Sequence, residues 1–116
     1  MGRVAHTLLH SRDGLLATVK GEAAFRQLLV LHGALMIVAF VVKVSPVERA
    51  AMLAVCLLSL VVELLNSAIE AVVDRISLEH HPLSKNAKDM GSAAQTVTLL
   101  MVALVWAVIL LGRTYG

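Results

Sequence analysis

The chain has 116 residues, of which 59% are hydrophobic, 16% charged and 3% aromatic, with a mean hydropathy of +0.84. That balance lies outside the soluble norm of roughly half apolar and a quarter charged, and one domain of an integral membrane protein is the class to test first. A net charge of +2 with no dense basic block excludes a nucleic-acid partner, and the single cysteine, Cys56, excludes a disulfide framework and a Cys-rich zinc site.

The first twenty residues hold no long apolar core and no small-residue cleavage site, so they do not read as a signal peptide. Val4, Leu8, Leu9, Leu15, Leu16 and Val19 are spread among polar residues, as in a helix lying on a membrane surface. We assign this amphipathic surface helix to 1–26. Glu22 near its end reads, by itself, as an ordinary interfacial charge. Residues 27–42 are uncharged, and Lys43 can snorkel to the interface, so the first transmembrane helix is placed at 27–44. Lys43, Val44, Ser45 and Pro46 form a short turn, with Pro46 near the start of the next helix. The second span, 48–73, is interrupted only by Glu63, Asn66, Ser67 and Glu70 once past Arg49. Cys56, inside this run, reads as a small hydrophobe. A loop follows at 74–89. The third span, 90–112, is uncharged and as a helix measures about 34 Å, enough to cross a hydrocarbon core of about 30 Å.

With three spans, the N-terminal segment and the 74–89 loop share one side. They carry Arg3, Arg12, Lys20, Arg26, Arg75, Lys85 and Lys88, whereas the opposite side has Lys43, Arg49 and Arg113. The positive-inside rule puts the former on the cytoplasmic side, where ATP is available. Three helices alone leave little interior for polar side chains. The fold class expected is therefore all-α: three transmembrane helices plus an amphipathic surface helix, assembled as a homo-oligomeric bundle.

Ionisable groups inside a span are expensive and default to a functional reading. Glu63, Asn66, Glu70 and Asp74 fall on a helix face less than a quarter-turn wide, flanked by Ser59 and Ser67. Several carboxylates on one face repel unless a cation neutralises them, and oxygen-only ligation favours Mg²⁺. Pairing with Arg26, Arg75 or Lys88, or simple hydration, is the bland alternative, and it weighs most for Asp74. Lys85, Lys88 and Asp89 precede Met90, Gly91 and Ser92 at the expected start of the third helix, where free amides and a lysine would make a phosphate-binding corner. There is no P-loop and no soluble-kinase signature, so a nucleotide site here must be built from membrane-helix ends. His80 and His81 read as a solvated loop pair, and His32 as a neutral side chain facing a partner helix. His6 and His10 stand at i, i+4 but lack a neighbouring third ligand.

Three stretches carry a resemblance. Glu22-Ala-Ala-Phe-Arg-Gln27, then Val62-Glu-Leu-Leu-Asn-Ser-Ala-Ile-Glu-Ala-Val-Val-Asp-Arg75, then Ala87-Lys-Asp-Met-Gly-Ser-Ala-Ala94 closely resemble the prokaryotic diacylglycerol kinases, small homotrimeric membrane enzymes. The likeness runs in order and spacing from about residue 11 to residue 112. It implies a homotrimer with sites between subunits, in a bacterial inner membrane with the N-terminus cytoplasmic. It implies phosphoryl transfer from MgATP to diacylglycerol, giving phosphatidic acid. By resemblance, Glu63 is the catalytic carboxylate that takes the proton from the lipid hydroxyl, and Glu22 and Glu70 hold Mg²⁺ and nucleotide. Asn66, Asp74, Glu79, His80, His81, Lys88, Asp89 and Arg3 match nucleotide-site positions. Phe25, Arg26, Gln27, Arg49 and Ser92, with Glu63, match the lipid site. The chain departs from the family at Ser11-Arg12-Asp13-Gly14, where an aromatic and a lysine often follow the serine. Undecaprenol is the alternative acceptor within the family, and an oligomeric ion- or proton-coupled transporter using Glu63 and Glu70 is the rival from another class.

Overall fold

Four helices follow one another in the computed structural model, which describes residues 2–115: α1 (Gly2–Gly21), α2 (Ala23–Val41), α3 (Pro46–Ile76) and α4 (Pro82–Tyr115). Each junction is held by a polar device that answers the orphan groups every helix end leaves. Between α1 and α2 a single residue, Glu22, adopts extended backbone (φ −121°, ψ 105°). The Arg26 guanidinium reaches back to donate to the carbonyls of Val19 (2.8 Å) and Lys20 (3.1 Å), covering the last turn of α1. The helix break therefore falls at Glu22, and the first apolar helix takes in residues 23–26, which sequence reasoning assigns to the surface helix.

Between α2 and α3, Ser45 and Glu48 form a reciprocal capping box. Ser45 Oγ accepts from the Glu48 N–H at 3.2 Å, and Glu48 Oε1 accepts from the Ser45 N–H at 2.9 Å. Pro46 occupies the first helical turn, where its missing N–H costs nothing. Arg49 donates to the carbonyls of Ala39, Val42 (3.3 Å) and Val44 (3.4 Å), closing the end of α2. This is why α2 stops at Val41, short of residue 44.

α3 packs against both α2 and α4, whereas α1 touches mainly α2 and buries none of its residues. The chain extends over 54 × 41 × 22 Å, the short dimension being about two helix diameters. The hydrophobic core lies toward the α2–α3 turn, where Ala39, Met52, Val55 and Cys56 meet Val102, Trp106 and Ile109. The Trp106 indole N–H donates to the Met52 carbonyl at 3.2 Å. Farther along the same α3–α4 seam the packing turns polar: Gln95 Nε2 donates to Ser59 Oγ at 3.2 Å, both residues being buried. Ala23–Val41, Pro46–Ile76 and Pro82–Arg113 are long and apolar enough to cross a membrane. They expose Val30, Ile37, Phe40, Leu57, Val72, Val97 and Val108, an outer surface suited to lipid.

Candidate active site

No glycine or proline interrupts α3 between Val47 and Ile76, so its polar residues stay in helical register along one stripe. Glu63 is only 7% exposed, Asn66 and Ser67 are also buried, Glu70 is half-buried and Asp74 is exposed. The stripe thus runs from the interior outward. Asn66 Nδ2 faces Glu70 Oε1 across a long 3.5 Å contact. Glu63 lies within electrostatic reach of Glu70 and, more weakly, of Glu22. Glu22 comes from the α1–α2 break, so three carboxylates separated in sequence act on one region.

A cavity of about 600 Å³ opens between α1 and α3. Gly14, Thr18, Gly21 and Glu22 line one side, Ser67 and Ala71 the other. Small residues at every third or fourth position of α1 keep its facing side shallow, and Ser11 and Gly14 from the divergent stretch belong to that lining. A second cavity, of about 300 Å³, sits where α3 ends and α4 begins, and it gathers Asp74, Glu79, His80, His81, Lys88 and Asp89. Here Lys88 Nζ donates to Asp74 Oδ1 at 2.7 Å and Lys85 Nζ to Asp89 Oδ2 at 2.6 Å. The hydrogen bond to Asp74 holds the Lys88 side chain at this corner. It uses one of three donors, leaving others for a phosphate oxygen.

One expectation about this corner requires correction. α4 begins at Pro82, not at residue 90, and only 77–81 separate it from α3. His81 caps the new start: its Nδ1 accepts from the Leu83 N–H at 3.1 Å, and its carbonyl accepts from the Lys85 N–H at 3.0 Å. Lys88 and Asp89 consequently sit inside the helix, where backbone amides are already bonded. The corner offers side-chain charge to a phosphate, not free helix-end amides.

Other expected site residues are more dispersed. Arg3 is exposed in the first turn of α1. Phe25 is buried, Gln27 and Ser92 are exposed, and Arg26 is engaged with the end of α1. Arg49 is engaged with the end of α2 and lies about 21 Å along α3 from Glu63, so one chain does not bring it to the acidic stripe. Sequence reasoning passed over two positions on α4. Gln95 continues the polar stripe across the seam, and its signal was an amide within an otherwise apolar span. Gly91, buried against Asn66, was read only as part of the expected helix start, with no contact to α3 assigned to it.

For a divalent cation the donor chemistry of the expected ligands fits, since Glu22 and Glu70 offer carboxylate oxygens. Among the described residues, however, no three His, Cys, Asp or Glu side chains gather into a metal-holding group.

Comparison with known proteins agrees with this chemistry. A family model described as prokaryotic diacylglycerol kinase matches residues 9–110. A diacylglycerol kinase of Pseudomonas aeruginosa is 63% identical over 110 residues, covering 95% of this chain and 89% of that protein. The diacylglycerol kinase of Escherichia coli K12 is 41% identical over 108 residues, covering 93% and 88%. That of Helicobacter pylori 26695 is 41% identical over 104 residues, covering 90% and 81%.

Proposed function

The chain belongs to the prokaryotic diacylglycerol kinase family, and from that premise we propose that it phosphorylates diacylglycerol with ATP at the membrane, using Glu63 as the base. The observation that carries the assignment of Glu63 is its burial in an apolar helix beside two further carboxylates. A structural helix has no use for such a group. The transport reading of the same acids gives way to phosphoryl transfer, because the family is one of lipid kinases.

The reaction asks the protein mainly to position reactants and to stabilise spreading negative charge. Glu63 accepts the proton of the lipid hydroxyl as that oxygen attacks the γ-phosphorus. The bond to the bridging oxygen breaks, and ADP leaves with the electron pair. Lys88 and its partner Asp74 stand at the mouth of the helix-end cavity, placed to meet the nucleotide's phosphates, with Glu79, His80, His81 and Asp89 around them. Glu22 and Glu70 are the residues that would hold Mg²⁺ with the nucleotide; when bound, the ion supplies positive charge to the phosphate oxygens. Asn66 orients Glu70. The cavity between α1 and α3, whose lining reaches Glu22, suits the lipid end of the reaction. Arg3 would reach the nucleotide, and Phe25, Arg26, Gln27, Arg49 and Ser92 the lipid, where neighbouring copies complete the site. A homotrimer supplies those copies. Seven of the ten cations lie on the α1 and α3–α4 side, which favours an inner-membrane orientation with the N-terminus cytoplasmic.

The test is transfer of label from γ-labelled MgATP to diacylglycerol and, in parallel, to undecaprenol in mixed micelles. Label on diacylglycerol that disappears with Glu63→Gln supports the activity and its base together. Label mainly on undecaprenol keeps the chemistry and changes the acceptor. A folded oligomer that labels neither overturns the proposal.

A further inference from the structure

Gly91 lies in the third turn of α4, buried and facing the acidic stripe of α3. A β-carbon placed there would overlap Asn66 Oδ1 and come within 3.2 Å of Asn66 Cγ and 3.6 Å of Ile69 Cδ1. Every other described glycine has open space at that point, with nothing within 4 Å. Asn66 is buried and its Oδ1 has no hydrogen-bond partner among the described residues, whereas its Nδ2 faces Glu70 Oε1. The amide nitrogen is the end turned to Glu70 Oε1, with the carboxylate oxygen as acceptor. The carbonyl end is thereby directed at the backbone of α4, at the one place where a side chain is missing.

We infer that Gly91 is a positioning residue: its lack of a side chain lets Asn66 keep its amide nitrogen on Glu70, and so aims a carboxylate of the phosphoryl-transfer site. The inference rests on the kinase reading above for its consequence, though not for its geometry. The obstructing atoms belong to the end of one side chain and not to backbone. Gly91→Ala therefore displaces the Asn66 amide at little cost to the fold, and alanine is the better helix former. Stability and turnover should move differently. A glycine kept only for close helix packing would instead lose stability when replaced.

The experiment uses the full chain in detergent micelles and compares wild type, Gly91→Ala, Asn66→Ala and the double variant. Gly91→Ala should lower kcat about threefold to tenfold, the range expected when one ordinary hydrogen bond is lost. It should also raise the Mg²⁺ concentration needed for half-maximal rate, with a melting temperature no lower than wild type. The double variant should be no slower than Asn66→Ala alone. The chain has two asparagines, Asn66 and Asn86, so ¹⁵N-asparagine labelling gives two side-chain amide pairs. The Asn66 pair should shift in Gly91→Ala while the Asn86 pair stays. Wild-type kcat with an unmoved Asn66 pair, losses that multiply in the double variant, or activity that falls only as folded protein falls would each overturn the inference. A wild-type protein that phosphorylates neither lipid overturns the kinase reading, and the amide shift then still decides the contact.

Discussion

Replacing Glu63 by glutamine separates catalysis from stability in sign. The substitution keeps side-chain volume and removes one negative charge from a position that is 7% exposed. Glu63 and Glu70 are seven residues apart on one helix face, about 10.5 Å along the axis. At an effective dielectric constant of about 20, two unit charges at that distance repel by about 1.6 kcal/mol. Deleting one should therefore stabilise the metal-free protein by about 1–2 kcal/mol, with some further gain from no longer burying a charge. Removal of a general base should at the same time lower turnover about 10²- to 10⁴-fold. The assays are label transfer to diacylglycerol at saturating MgATP and thermal unfolding of the same preparation in EDTA. Retention of wild-type turnover would refute the base assignment. Lost activity accompanied by a lower melting temperature would refute the claim that Glu63 is held against its neighbours' repulsion.

Glu70→Gln should raise the Mg²⁺ concentration for half-maximal rate about tenfold or more, since one anionic ligand is lost; an unchanged titration counts against the metal role. Lys88→Met should raise KM for ATP with little change in melting temperature, because an exposed ion pair such as Lys88–Asp74 contributes at most about 1 kcal/mol. A large stability loss with normal KM would make Lys88 a structural residue. Ser45→Ala removes half of the capping box and should cost about 1 kcal/mol in unfolding while leaving turnover per folded molecule intact, as the turn is remote from the acidic stripe. Unfolding at the wild-type midpoint would show that the cap adds nothing.

Much of this protein is written in its sequence for reasons specific to membranes. Apolar runs about as long as the bilayer is thick can satisfy their backbone only as helices, which makes the three spans legible. A carboxylate such as Glu63 stands out against such a background, and the repeat of 3.6 residues is enough to put Asn66, Glu70 and Asp74 on its face. The motif resemblance to the kinase family needed no coordinates either. Helix ends were less legible, because they depend on side chains that reach several residues away. Arg26 settles the break at Glu22, Arg49 the end of α2, and His81 with Pro82 the early start of α4. That early start converts the Lys88 corner from a helix terminus into a helix face.

Contacts between helices lie wholly beyond periodicity. Only the bend at Glu22 brings that residue, unremarkable in the chain, within reach of Glu63. The Gln95–Ser59 contact depends on how α4 is rotated against α3. So does the overlap that keeps position 91 a glycine. The sequence alone determined which segments are helical, which face of α3 is charged and which chemistry that charge suits. Tertiary structure decided which carboxylates share a site and what holds them there, because helical register sets the angle of each side chain but not the depth or rotation at which helices meet.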